Sequence, residues 1–294
     1  MSDFGVVLTA MVTPFKEDGK VNYEAAANLA QRLVANGSDG LVVAGTTGEA
    51  PTLTEEEKIR LFSVITEAVG GKAMVIAGTG SYSTADSVRL TVAAEKTGVD
   101  GVMLVSPYYN KPTQEGLYQH FKTVATATKL PVIIYNIPGR TGVNIEAKTL
   151  VRLAKDVPNI VAVKEASGDL DQVAKIRREL PASFLIYSGE DHLTLPILSV
   201  GGHGVISVAS HLVGMEIKEM CTLFHQGEVA KAREIHLKLW PLFKALFVRT
   251  NPIPVKTALN LLGFNVGGFR LPLCEAGEDE LAPVKTELKA LGLI

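Results

Sequence analysis

The sequence predicts a (β/α)8 barrel with a C-terminal helical extension, and three observations carry that prediction. Short apolar runs rich in β-branched residues recur eight times along the chain, segments of helical period lie between them, and roughly the last quarter of the 294 residues keeps helical spacing alone. Continuous rather than alternating hydrophobicity is what strands buried on both faces require, which makes the sheet parallel. Eight strand–helix units suit a closed barrel better than a doubly wound sheet, whose order usually has about five or six strands.

The elements follow in order. VVLTAMV begins at Val6, and the helix expected from Tyr23 to Asn36 turns Ala26, Leu29 and Leu33 to one side. GLVVAG begins at Gly40. The helix after it, Glu55 to Val69, presents Ile59, Phe62 and Ile65 and opens with Thr54 and Glu57 at the spacing of a capping box. AMVIAGTG starts at Ala73, GVMLVSP at Gly101, PVIIYNIP at Pro131, IVAVKEA at Ile160, FLIYSGED at Phe184 and GVISVAS at Gly204. Past Gly227, the residues Val229, Ala232, Ile235, Leu239, Leu242, Phe243 and Leu246 share one helical face, with Pro241 predicting a kink or break among them. Further helices are expected around Val255 to Leu262 and Asp279 to Leu291. The expected organisation is a barrel over residues 1–226 that carries the active site, and a helical region over 227–294 packed on it without a flexible linker.

Composition excludes several function classes. Twenty-nine basic against 31 acidic side chains leave a formal charge of −2, so no basic stripe is available for nucleic acid. A hydrophobic share of 47% rules out a mainly disordered chain. The two cysteines, Cys221 and Cys274, stand far apart and exclude a disulfide framework, an iron–sulfur cluster and a zinc ribbon. No apolar stretch reaches the ~18 residues that span a bilayer, and MSDFGVVLTAMVTPF lacks a basic leader, so a cytoplasmic protein without a membrane partner is expected. GxxxxGKS/T, HExxH and a complete GxGxxG are missing, and the histidines, among them His120, His203 and His211, lack metal-ligand spacing and read as surface or satisfied core residues. Gly201-Gly202-His203-Gly204 either turns the chain or binds phosphate.

A barrel of this kind carries its chemistry at the carboxyl ends of its strands. Those ends read Gly45-Thr46-Thr47-Gly48-Glu49, Ser106-Pro107-Tyr108-Tyr109-Asn110, Tyr135-Asn136-Ile137-Pro138-Gly139-Arg140-Thr141 and Lys164-Glu165-Ala166-Ser167. Lys164 is the outlier, a lysine inside a run that otherwise reads as buried strand. Desolvation lowers an ammonium pKa, and a neutral amine facing a carbonyl forms a Schiff base whose iminium nitrogen is an electron sink. The alternative is a structural lysine paired with Glu165 or another carboxylate. Tyr135 ends an apolar strand, where its phenol either shuttles protons with a threonine or is a satisfied core tyrosine. Thr46 and Thr47 lie in a glycine-bounded turn that either closes the loop or lets backbone amides approach an anion. Arg140 follows a Pro-Gly turn and offers either bidentate capture of a carboxylate or a surface salt bridge. Tyr108 and Tyr109 are adjacent, so only one can point into a given site.

Taken together, GTTGE (Gly45 to Glu49), SPYYNKP (Ser106 to Pro112), YNIPGRTG (Tyr135 to Gly142), VKEASGD (Val163 to Asp169), GGHGVISV (Gly201 to Val208) and NPIPVK (Asn251 to Lys256) resemble the dihydrodipicolinate synthase family, in collinear order over nearly the whole chain. The resemblance implies condensation of pyruvate with L-aspartate-4-semialdehyde, no metal or organic cofactor, and a homotetramer built as a dimer of dimers. It assigns Schiff-base formation to Lys164 and proton relay to Tyr135. Thr47 becomes the link from that tyrosine to the next, and Thr46 a holder of the pyruvate carboxylate. Tyr109 becomes the tyrosine donated across the tight-dimer interface and Arg140 the receiver of the semialdehyde carboxylate. Ile206 and Gly189 fall where the family places backbone near the pyruvate carbons. Two other readings stay open: another pyruvate-dependent aldolase acting on N-acetylneuraminate or a 2-keto-3-deoxy sugar, and a barrel that binds small anions without catalysis. Where lysine-inhibited members carry paired histidines this chain has Glu55 and Lys58, and Tyr82 stands at a position usually held by asparagine, so weak or absent inhibition by lysine is expected.

Overall fold

In a computed structural model that describes residues 4–294, the strands are β1 (Val7–Ala10), β2 (Gly40–Val43), β3 (Met74–Gly78), β4 (Gly101–Val105), β5 (Val132–Asn136), β6 (Ile160–Glu165), β7 (Leu185–Ser188) and β8 (Gly204–Ser207). They pair in parallel in sequence order, and β8 closes on β1 with Leu8 beside Ile206, so the predicted barrel forms. Around it run α1 (Tyr23–Ala35), α2 (Glu55–Val69), α3 (Thr84–Glu95), α4 (Gln114–Thr126), the short α5 (Pro138–Thr141), α6 (Ala147–Asp156), α7 (Leu170–Glu179), α8 (Thr194–Ser199) and α9 (Ser210–His225). The chain then continues through α10 (Val229–Ala245), α11 (Ile253–Leu261) and α12 (Glu278–Ala290). No helix among the described residues is long and apolar enough to cross a membrane.

Two apolar layers follow from strands buried on both sides. Leu8, Val42, Ile76, Met103, Ile133, Ala162 and Ile206 fill the barrel, while the alternate residues, such as Leu41, Val75, Val102, Ile134 and Val163, pack outward under the helices. Each large side chain buried in this way contributes about 1.5–3 kcal/mol. The same alternation places Tyr135 and Lys164 inside, one above the other in register, and turns Asn136 and Glu165 outward. The second helix starts as its sequence dictates: Thr54 Oγ1 accepts the Glu57 N–H at 3.2 Å, and Glu57 Oε2 accepts the Thr54 N–H at 3.0 Å.

The helical extension departs from expectation at one point. Pro241 lies within a continuous α10, so of the kink or break expected there the break does not occur. A proline removes the hydrogen bond to the carbonyl four residues earlier, here on Leu237, whose side chain is 61% exposed; on that wet face water can take the bond. The non-helical residue falls instead at Val213 inside α9 (φ −131°, ψ 42°). The extension packs back through α10 and α11 against α9, and through α12 against both. Gly201 and Gly202 form the turn into β8: Gly201 has φ +95°, and a Cβ on Gly202 would lie 2.6 Å from Ile197.

His211 fastens the closure between β1 and β8. Its Nε2 accepts the Val12 N–H at 3.1 Å, and Nδ1 donates to the Val208 carbonyl at 2.8 Å, which requires a neutral ring. Burial pushes its pKa down to about 4, with Arg32 acting in the same direction and the Val208 carbonyl opposing. Between pH 6.5 and 4 the unfolded chain takes up a proton that the folded chain refuses, so stability is full above 6.5 and falls as pH drops through that window, by about 3 kcal/mol. Thermal melts at pH 7 and pH 5 should show this as a lower Tm, with a smaller drop in His211→Gln; equal drops would show that His211 does not set the dependence.

Candidate active site

Lys164, on β6, is 4% exposed at the carboxyl end of the barrel, with Nζ 4.3 Å from the centroid of the Tyr135 ring on β5. The pairing with Glu165 is not formed. Adjacent strand residues face opposite ways, and Glu165 accepts instead from Asn136 Nδ2 (3.0 Å), Gln172 Nε2 (3.0 Å) and the Ser167 N–H (2.8 Å) behind the barrel wall. Among the described residues Lys164 makes neither a hydrogen bond nor an ion pair. Burial therefore lowers its pKa to about 8, although the nearby Asp191 and Glu190 oppose the shift and Arg140 adds to it. Asp191 is held in turn by the Ser207 hydroxyl and by the Val208 and Ala209 N–H groups at 3.1 and 3.0 Å.

A second buried lysine gives the contrast. Lys256, on α11, is 0% exposed but donates to Glu49 Oε1 at 2.9 Å, to the Thr13 carbonyl at 3.1 Å and to the Gly268 carbonyl. Its charge is answered on three sides, whereas that of Lys164 is not. Gly189 makes room for the latter: a Cβ there would lie 3.2 Å from Lys164 Cε and 2.7 Å from the Ala166 Cβ. Ile206, on β8, is fully buried in the interior cluster that also contains Tyr135.

Tyr135 is 3% exposed, and burial raises its phenol well above the ordinary value, opposed by Arg140 and by a side-chain hydrogen bond shared with Thr46. The two threonines differ in their surroundings. Thr46 lines the same cavity as Tyr135 and lowers its pKa, while Thr47, the residue that the resemblance links to the tyrosine, accepts a hydrogen bond from Asn251 Nδ2 at 2.8 Å. Successive residues of so tight a turn point in opposite directions, and a motif match alone does not say which faces the cavity. Thr46, Tyr135 and Arg140 line a cavity of about 450 Å³ that reaches Glu55, Lys58, Tyr82 and Tyr108. Arg140 is carried by α5 at the mouth and donates from Nη2 to the Asn251 carbonyl at 3.3 Å.

Tyr109 is not brought to the site of its own chain. It is 94% exposed with φ +72°, while Tyr108 turns inward, its ring 5.3 Å from that of Tyr82 in an edge-on contact. Asn251, Glu49 and Lys256 lie in the motifs without an assigned role. Lys256, between Ile253-Pro254-Val255 and Ala258-Leu259, carries the signal that singles out Lys164, a charge inside an apolar stretch; Glu49 and Asn251 stand in polar turns and carry no such signal.

A closed parallel barrel with an unpaired, desolvated lysine beside a buried tyrosine at its carboxyl rim has the architecture of a Schiff-base-forming lyase. Comparison with known proteins makes this specific. Residues 3–291 match the Dihydrodipicolinate synthetase family. The chain is 60% identical to the 4-hydroxy-tetrahydrodipicolinate synthase of Desulforamulus reducens over 292 residues, covering 99% of each chain. It is 54% identical to the enzyme of that name from Bacillus subtilis over 289 residues, 98% of this chain and 100% of that one. Among solved structures, dihydrodipicolinate synthase from Cyanidioschyzon merolae with lysine bound superimposes with a TM-score of 0.98 at 51% identity, covering 99% of both chains. The synthase from Aquifex aeolicus gives 0.96 at 47%, again over 99% of both. The chain belongs to the dihydrodipicolinate synthetase family.

Proposed function

We propose that the protein condenses pyruvate with L-aspartate-4-semialdehyde to 4-hydroxy-tetrahydrodipicolinate, the reaction for which its relatives are named. The observation that carries this reading is the desolvated, unpaired Lys164 packed against Tyr135 in a family whose curated members share that activity. Neutral Lys164 attacks the ketone of pyruvate, and loss of water gives an iminium. Removal of a methyl proton yields an enamine, which adds to the aldehyde carbon. The amino group of the semialdehyde then displaces Lys164 by transimination and closes the ring. Tyr135 and Thr46 relay the protons, since both line the cavity and Thr46 lowers the pKa of the tyrosine. Arg140 receives the semialdehyde carboxylate at the mouth. Gly189 and Ile206 shape the floor around the pyruvate carbons.

Tyr109 completes the relay in a second copy of the chain, which supports a tight dimer within a homotetramer; its outward pose and positive φ are what a residue presented to a partner would show. An isolated monomer should then be nearly inactive, as activity measured alongside sedimentation would reveal. The barrel over 1–226 holds the reacting groups, and the region over 227–294 supports them.

Sodium borohydride reduction in the presence of pyruvate tests the chemistry: a covalent adduct on Lys164 is expected, and its absence would leave only an anion-binding barrel. Turnover with aspartate semialdehyde, compared with N-acetylneuraminate and keto-deoxy sugars, then separates the aldolases. Inhibition by lysine should be weak. The cavity wall carries Glu55 and Lys58 where the lysine-inhibited members have histidines, and both of its carboxylates, Glu55 and Asp86, are already engaged by Arg89 at 2.8 and 2.7 Å, which leaves an incoming ammonium to compete with a guanidinium for them. Submillimolar inhibition of the initial rate at saturating pyruvate would contradict this.

A further inference from the structure

We infer that Glu49 and Lys256 are positioning residues for this reaction: their buried ion pair locks the Gly45–Glu49 turn so that Thr46 meets Tyr135, and it makes the C-terminal extension part of the catalytic apparatus. The inference rests on the reaction proposed above.

The turn is bracketed by two non-glycine residues in the left-handed region, Ala44 (φ +52°) and Glu49 (φ +56°). Each costs of the order of 1–2 kcal/mol and persists only where the surroundings enforce it. Between them almost every peptide is pinned. The Glu49 N–H donates to the Thr46 carbonyl at 3.1 Å, Thr13 Oγ1 donates to the Gly48 carbonyl at 2.7 Å, and Asn251 holds the Thr47 hydroxyl. The Glu49 carboxylate ends the series, with Lys256 on Oε1 and the Arg270 N–H on Oε2 at 3.2 Å. After this only the Thr46 side chain is left facing the cavity. Asn251, five residues before Lys256, also takes the Arg140 guanidinium on its carbonyl. One short C-terminal segment thus touches both the threonine turn and the arginine at the mouth.

Stability alone does not account for the pair. Desolvating two charges costs about as much as their attraction returns, and apolar replacements of equal volume are often neutral or better. What two charge-assisted bonds supply, and an apolar contact does not, is a fixed direction for the carboxylate and so for the peptide that follows Thr46.

The test uses the full-length chain. Glu49→Gln/Lys256→Met leaves no unpaired buried charge, and Lys256→Met alone isolates the cation. Tm, kcat, the KM for pyruvate and the rate of borohydride-trapped adduct formation are measured for each. The inference predicts a fall in kcat of about 10–100-fold, the cost of displacing a reacting group by roughly an ångström. It also predicts no further loss when the same substitutions are made in a Thr46→Val background, because the pair acts through Thr46. A lowered Tm with kcat within about twofold of the parent, or losses that multiply with Thr46→Val, would overturn it. Failure of both variants to fold would overturn it too, by assigning the pair to stability. A parent protein that forms no pyruvate adduct is a different result, since it removes the proposed reaction itself.

Discussion

Lys164→Ala should lower kcat/KM by about four orders of magnitude or more and abolish the borohydride-trapped pyruvate adduct. The size of the effect follows from the chemistry. The amine is the electron sink that acidifies the pyruvate methyl group, and neither hydroxyls nor carboxylates at the rim can form an iminium. The substitution should not harm the fold, because among the described residues Lys164 has no hydrogen bond or ion pair to lose, and removing a desolvated amine relieves burial. With its pKa lowered to about 8, roughly a tenth of the amine is neutral at pH 7. The kcat/KM for pyruvate should therefore rise with pH and level off above about 8. An alanine variant with near-normal turnover, or a rate independent of pH between 6 and 9, would remove Lys164 from the nucleophile's place.

Tyr135→Phe should cost about 100- to 1,000-fold in kcat while leaving a slow, trappable adduct. The ring that packs 4.3 Å from Lys164 Nζ is kept, so the environment of the lysine survives and only the hydroxyl shared with Thr46 is lost. Burial holds the phenol protonated across the assay range, which makes it a donor that must hand on its proton and be reprotonated through Thr46. Thr46→Val should therefore lower kcat in the same direction, and combining it with Tyr135→Phe should cost less than the product of the two losses. A phenylalanine variant within about tenfold of the parent would return Tyr135 to the status of a core tyrosine.

Much of this was legible because the decisive signals are local. A lysine among Ile160-Val161-Ala162-Val163 announces itself as a buried amine in any parallel strand, and the continuous apolar runs demand helices on the far side of the sheet. What was not legible depends on direction. Thr46 and Thr47 are chemically the same at adjacent positions, and what distinguishes them is tertiary: Asn251, 204 residues away in sequence, donates to Thr47. Pro241 reads as a helix breaker, yet its effect depends on whether the orphaned carbonyl faces water. Lys256 falls in the helix expected around Val255 to Leu262, and nothing in that segment announces that Glu49, 207 residues away in sequence, lies against it.

The sequence by itself determined the barrel, the strand that carries Lys164 and the family, since period, burial pattern and short motifs are properties of neighbouring residues. Only the tertiary structure decided that Lys164 has no direct ion pair among the described residues while Lys256 has one, that Thr46 and not Thr47 lines the cavity with the tyrosine, and that Tyr109 points out of its own chain. The physical reason is that charge compensation and side-chain direction are set by groups brought together from distant parts of the chain.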